Sequence, residues 1–361
     1  MANITASMVK ELREMTGAGM MDCKKALNET DGDMDAAVEF LRKSGAAKAE
    51  KKASRIAAEG ICRIASEGNA AVVAEVNSET DFVAKNEVFQ KFVQKVADSA
   101  LASGLNGGKN GEDVEALMDK DGLRELLVEK TAKIGEKLSV RRFERISADL
   151  VATYIHGGGR IGVLVAANGA SDDAAKEALT NIAMQVAAMS PEYLSRNDIS
   201  AEQLAKEKEI TIDSALNDPA SLPKPILNEL FGKAVEGKVL SDADLAVYEE
   251  KKNDKYLFNF LSEEAKQKLA GLAMEGKDKY VGDKIFSGLV EGSISKHLKE
   301  ICLMDQVYVR AEDGKQTVAK YLESVNKDLK LAKFIRFEVG EGMEKKNEDF
   351  AAEVAAQMAG N

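Results

Sequence analysis

The chain has two histidines, His156 and His297, in 361 residues. No His-x-x-x-His pair exists to hold a metal, and no Ser/His/Asp or Cys/His set is suggested. Three cysteines, Cys23, Cys62 and Cys302, are far apart, odd in number and free of any CxxC spacing. That excludes a zinc pattern and a disulfide framework, and it fits a reducing compartment. No Gly-x-x-x-x-Gly-Lys-Ser/Thr run occurs, so no P-loop is present. Gly17-Ala18-Gly19 follows a helical pattern rather than a strand. Gly340-Glu341-Gly342 follows a strand but lacks the third glycine and the βαβ context. Both read as backbone punctuation. No apolar run is long enough to span a bilayer, and Met1–Thr5 begins neither a signal nor a transit pattern. A cytoplasmic location is expected. The formal net charge of −11 argues against sequence-independent nucleic-acid binding and against an anionic membrane surface. These absences point away from an enzyme with its own catalytic centre, metal or cofactor.

What is present is a soluble globular composition, 45% hydrophobic and 31% charged, with length for roughly two or three domains. Residues 1–45 read as a small three-helix domain. The stripes are Val9, Leu12 and Met15, then Met20, Met21, Lys24, Lys25 and Leu27, then Met34, Ala37, Val38 and Leu41. Asp33 is placed to cap the third helix, and Ser44-Gly45 is expected to end it. Residues 46–59, rich in Lys and Ala, read as a helical linker whose Lys48, Lys51, Lys52 and Arg55 form a solvated face.

From residue 60 to 148 the pattern is a hairpin (Ile61–Ala65 with Ala71–Val76), a helix (Glu87–Leu101), a second helical stretch (Leu117–Ile134) and a strand (Leu138–Ile146). The order repeats after residue 149. A hairpin, Leu150–Ile155 with Ile161–Ala167, precedes a helix, Asp172–Met189. A helix, Thr317–Val325, and a strand, Phe334–Val339, follow much later. This is an internal duplication of an α+β unit with antiparallel sheets. A further helix is expected at Asn347–Met358. The second copy is interrupted by a helical insertion at about 200–300, in which Pro219, Pro223 and Pro225 mark a turn. The expected form of the insertion is an enlarged helical hairpin.

Thr80-Asp81-Phe82-Val83 stands where the first hairpin gives way to a helix. Asp81 is placed to cap that helix, and Phe82 to fold back beside Phe89 and Phe92. The other reading makes the pair an exposed tool, a ring that wedges into a cleft and a carboxylate that disturbs a nearby charge. His156 with Gly157-Gly158-Gly159 reads as a hairpin turn rather than an oxyanion loop.

Several segments together resemble one family. Thr16-Gly17-Ala18-Gly19-Met20-Met21-Asp22-Cys23-Lys24-Lys25-Ala26-Leu27 looks like the signature of the bacterial elongation factor Ts family. Glu75-Val76-Asn77 running into Thr80–Lys85 is similar to a second segment of that family. His156 with Arg160–Val165 and Phe334–Gly342 are similar to two more. The likeness covers about 1–200 and 300–361. It implies a guanine-nucleotide exchange factor for elongation factor Tu, with a ubiquitin-associated-like N-domain and two related core subdomains. It assigns Thr80, Asp81, Phe82 and Val83 to Mg²⁺ displacement in the GTPase, and Met20, Met21, Lys24 and His156 to partner binding. No nucleotide, nucleic acid or membrane is bound by the chain itself in that reading. The alternative is a partner-binding adaptor or chaperone-like module without exchange activity.

Overall fold

A computed structural model describes residues 4–344, so the expected helix Asn347–Met358 lies outside the described residues. The chain divides into two compact units, one running to Ser190 and resuming at Lys320, the other Pro191–Ala319.

The first unit begins with α1 (Ala6–Thr16), α2 (Met20–Glu29) and α3 (Met34–Glu50). Thr5 accepts from the Met8 amide and Asp33 from the Ala36 amide, so α1 and α3 start where a side chain satisfies an orphan N–H. Gly17 ends α1 at φ 66°, a left-handed conformation that glycine adopts without penalty. Leu12, Cys23, Ala26, Leu27 and Ala37 close the small core. Ser44-Gly45 does not end α3, which runs on to Glu50. Gly45 is buried, and a methyl there would lie 3.5 Å from Ala132 Cβ. Glycine in a helix costs about 1 kcal/mol against alanine. Here packing against a later helix offsets that cost. The linker is therefore helix to Glu50 and turn beyond it.

Two three-stranded antiparallel sheets follow. The first is β1 (Glu59–Glu67), β2 (Ala70–Ser78) and β3 (Ser139–Ser147), in that order. Between β2 and β3 lie α4 (Asp81–Ala84), α5 (Glu87–Ser103), α6 (Val114–Met118) and α7 (Leu123–Ile134). Asp121 and Gly122, both at positive φ, split the expected single helix 117–134 into α6 and α7. The second sheet is β4 (Leu150–His156), β5 (Ile161–Asn168) and β6 (Lys330–Glu338), with α8 (Asp173–Met189) after β5. The duplication extends to a detail. Each middle strand shifts register near its end, which leaves the third residue of the third strand unpaired, Arg141 in one sheet and Ala332 in the other. The fold is α+β.

The two sheets share a core that includes Cys62, Ala71 and Val73 with Leu164, Ile335 and Phe337. A Cβ on Gly162 would stand 2.7 Å from Val73 Cγ2, so glycine permits the close approach. The outer face of the first sheet is covered by α5, which buries Phe89, Phe92, Val93, Val96, Ala97 and Ala100 at helical spacing. Each large side chain so buried stabilises by about 1.5–3 kcal/mol. In the second copy α8 buries Ala175, Leu179, Ile182 and Val186.

Glu75 on β2 is 0% exposed, and its carboxylate accepts from Arg142 Nε at 2.6 Å, Arg141 Nη1 at 2.9 Å and the Gly340 amide at 2.9 Å. Arg142 also stacks over Phe337, 4.1 Å from the ring centroid. Gly340 is more than punctuation. Its φ is 71°, and a Cβ would meet Ala58 O at 2.2 Å.

The second unit holds α9 (Ala201–Asn217), α10 (Lys224–Glu236), α11 (Asp242–Lys251), α12 (Glu263–Glu275), α13 (Lys277–Val281) and α14 (Lys284–Ile301). Pro219 opens a one-turn 3-10 helix, and Pro223 and Pro225 start α10, so the prolines turn the chain as their positions predict. The result is not two bare arms. Ile212, Leu216, Leu230, Phe231, Leu269 and Phe286 belong to a core internal to this unit. Asp244 ties two helix starts together, accepting from Ser241 Oγ at 2.5 Å, the Ser262 amide at 2.8 Å and Ser262 Oγ at 2.9 Å.

Candidate partner-contact site at the end of strand β2

Beyond Ser78 the chain leaves the sheet, makes the single turn α4, and enters α5 under an Asn86 cap. Asp81 does not cap that helix. Asn86 Oδ1 does so, accepting from the Val88 amide at 2.8 Å. Asp81 is the first residue of α4 instead, and its carboxylate pairs with Lys85 at 2.9 Å. Phe82 does not fold back onto the core either. It is 78% exposed, while Phe89 and Phe92 are buried.

The four residues divide by role. Thr80 and Val83 hold the turn, and Asp81 and Phe82 face water. Val83 is buried in the core under α5, which supplies the anchor. Thr80 donates its hydroxyl to Glu136 Oε1 at 2.7 Å. The Asp81–Lys85 pair is an exposed i,i+4 contact, a class worth about 0.5 kcal/mol or less. Its weakness leaves the carboxylate free to exchange partners. Lys85 Nζ also stands 5.8 Å from the Phe82 ring centroid.

The turn is clasped from below by Glu136 and Glu79. Glu136 Oε2 accepts from the Glu79 amide at 3.1 Å and the Thr80 amide at 3.0 Å. Glu79 returns the contact by accepting from the Lys137 amide at 2.5 Å and from Arg55 Nη1 at 3.2 Å. Lys137 Nζ donates to the Arg55 carbonyl at 2.8 Å. Arg55 is therefore a strut while remaining solvent-exposed, and the exposed Lys48 pairs with Asp22 at 2.9 Å. The only sequence signal for the clasp is an acid directly after Gly135, the glycine that ends α7 at φ 89°.

The other expected contact residues are also surface groups. Met20 is 59% and Met21 75% exposed, and Lys24 is exposed beside them on α2. The buried face of α2 is Cys23, Ala26 and Leu27, so both methionines are displaced from the core by helical geometry. Two adjacent exposed methionines suit an adaptable apolar contact. His156 ends β4, exposed, with Nδ1 3.1 Å from Tyr154 Oη. Gly157, Gly158 and Gly159 behind it all have positive φ, as a tight turn needs, and Arg63 Nη1 donates to the Gly158 carbonyl at 3.3 Å. Among the described residues, no hydrogen bond, ion pair or ring contact joins these three groups to one another. No three His, Cys, Asp or Glu side chains converge as a metal site among the described residues. No helix among them is long and apolar enough to cross a membrane.

A cavity of about 760 Å³ lies elsewhere in this unit, lined by Gly17, Asp22, Gly45 and Lys133 among others, and includes none of Thr80–Val83.

Residues 79–341 match the family described as Elongation factor TS. The match begins beside the clasped turn and ends at the Glu341 that touches Arg142. The chain belongs to the elongation factor Ts family. The elongation factor Ts of Clostridioides difficile (strain 630) is 42% identical over 369 aligned positions, covering 99% of this chain and 100% of that protein. With the family in place, exposure separates Phe82 from the phenylalanines that only fill the core.

Proposed function

We propose that Phe82 and Asp81 drive GDP release from elongation factor Tu by disturbing its Mg²⁺ site. Exchange on that GTPase follows from family membership. The observation that supports these residues is a 78% exposed phenylalanine held on a clasped turn that is anchored by the buried Val83. Burying such a ring against a partner is worth about 1.5–3 kcal/mol, which is available to pay for distorting the partner.

Mg²⁺ requires near-ideal octahedral oxygen geometry, so a small shift of its ligands or waters weakens it sharply. The β-phosphate of GDP then loses much of its compensating charge. Each ~1.4 kcal/mol lost speeds release about tenfold when it falls wholly on the off-rate. Phe82 acts as the wedge between partner helices. Asp81 gives up Lys85 to make a polar contact near the ion. Met20, Met21 and Lys24 dock the N-domain, and His156 adds a contact from the second copy. Thr80 and Val83 carry no contact and hold the turn. By reciprocity, a factor that weakens nucleotide binding is itself expelled when GTP refills the site.

No covalent step is needed, so the chain acts without its own catalytic centre, cofactor or bound nucleotide. It works in the cytoplasm, with a protein partner and no direct nucleic-acid or membrane contact. The test is release of a fluorescent GDP analogue from the GTPase. Phe82→Ala and Asp81→Ala should each slow the stimulated rate. An adaptor would bind the GTPase with no acceleration even as the wild type.

A further inference from the structure

We infer that Glu136, with Glu79 as its reciprocal partner, is a positioning residue for the exchange turn. The inference rests on the functional reading above and extends it to two carboxylates outside the Thr80–Val83 segment.

A single turn of helix cannot hold itself, because helix nucleation fixes many dihedrals for one hydrogen bond. The four-residue α4 needs outside support to keep its direction. Val83 anchors its underside in the core. What fixes its leading end is Glu136, whose one carboxylate takes three donors: the amides of Glu79 and Thr80 and the hydroxyl of Thr80. Hydrogen bonds to an ionised acceptor are the strong ones. All three act on the two residues immediately before Asp81 and Phe82.

The clasp is closed from the other side. Glu79 accepts from the Lys137 amide at 2.5 Å, so the loop after β2 and the loop before β3 exchange carboxylate-to-backbone bonds. Arg55 joins both, donating to Glu79 at 3.2 Å and accepting from Lys137 Nζ through its carbonyl. Neither carboxylate fills the core, so removing one opens no cavity there. It frees the direction in which Phe82 points. An unclasped ring must be ordered when the partner is engaged, and misplacement of a working group is paid in the transition state more than in docking. Docking is carried by other surfaces, Met20, Met21, Lys24 and His156.

The test titrates the full-length chain against the GTPase loaded with fluorescent GDP. It separates the release rate at saturation from the concentration that gives half of it. Glu136→Ala should lower the saturating rate by about tenfold, with the half-saturating concentration moved less than about threefold. Glu136→Gln keeps one carbonyl oxygen for the amides and should fall between wild type and Glu136→Ala. In Glu136→Ala, hydrogen exchange at the Glu79 and Thr80 amides should quicken while α5 keeps its protection. A merely structural role lowers the active fraction, which raises the half-saturating concentration and leaves the saturating rate intact, and that result overturns the inference. So do unchanged saturating rates in both variants beside a wild type that accelerates release. A wild type that does not accelerate release overturns the functional reading, and this inference with it.

Discussion

The two α+β copies share strand order and bulge position, yet they differ where the middle strand meets its helix. Between β2 and α5 stand residues 79–86, and between β5 and α8 only 169–172. Both connections end in a capping side chain, Asn86 in one and Asp172 in the other. The additional length of the first matches α4, Asp81–Ala84. A duplicated scaffold thus carries an exposed phenylalanine on an extra helical turn in one connection and not in the equivalent one. The second copy spends its chain elsewhere, on the helical unit Pro191–Ala319.

A second difference lies at the bulge. The residue pair just before it is Glu75 with Arg142 in the first sheet and Ala166 with Lys333 in the second. Ala166 is as buried as Glu75. The scaffold therefore does not require a charge at this place. In the first copy the charge reaches beyond its own sheet to the Gly340 amide. Removing one partner of a buried ion pair costs about 3–5 kcal/mol, because the other is left unpaired. Glu75→Ala should lower stability by that amount in thermal or denaturant unfolding, the largest effect expected. Replacing both partners, as Glu75→Leu with Arg142→Met, should recover much of the loss. If the single change is tolerated, the first copy needs its charge no more than the second does.

The helical unit responds differently. Asp244→Ala breaks three hydrogen bonds at two helix starts and should cost that unit about 1–3 kcal/mol. The Ser241 hydroxyl, then the Ser262 amide, hold the Asp244 carboxyl below its ordinary value. A carboxyl that titrates lower when folded gives its full contribution above the unfolded pKa. That contribution drains away as pH falls through the folded pKa. The stability gap between wild type and Asp244→Asn should therefore be widest near neutral pH and narrow as pH falls through the acid limb. A gap that is absent at neutral pH, or that stays constant down the acid limb, would contradict the assignment.

Lys85→Ala sits at the small end. Stability should shift by about 0.5 kcal/mol or less, as exposed pairs do. Exchange should stay within about threefold of wild type, since the pair must open for Asp81 to act. A large loss of exchange would mean that Lys85 itself touches the partner.

Much of this arrangement was legible in the sequence. Strand alternation and helical stripes located both copies, because half-buried elements print their period on the chain. The Thr80–Val83 segment was singled out, but its inner geometry was not. Thr80 and Val83 share a motif with Asp81 and Phe82, and only the fold shows which two are held and which two face water. The clasp was invisible because Glu79 and Glu136 are 57 positions apart and bond to backbone, which leaves no spacing signal. Gly45 misled for the opposite reason. Local propensity marked a stop, and packing against Ala132 carried the helix through it. Helical periodicity located the helices of the insertion but reports faces, not how many neighbours each face meets.

The most direct test shortens the first connection to the length of the second by deleting Asp81–Ala84, and follows GDP release from the GTPase. The account predicts a chain that still folds and binds the GTPase, with release at the unstimulated rate. A shortened chain that binds and still accelerates release would show that exchange resides outside this turn.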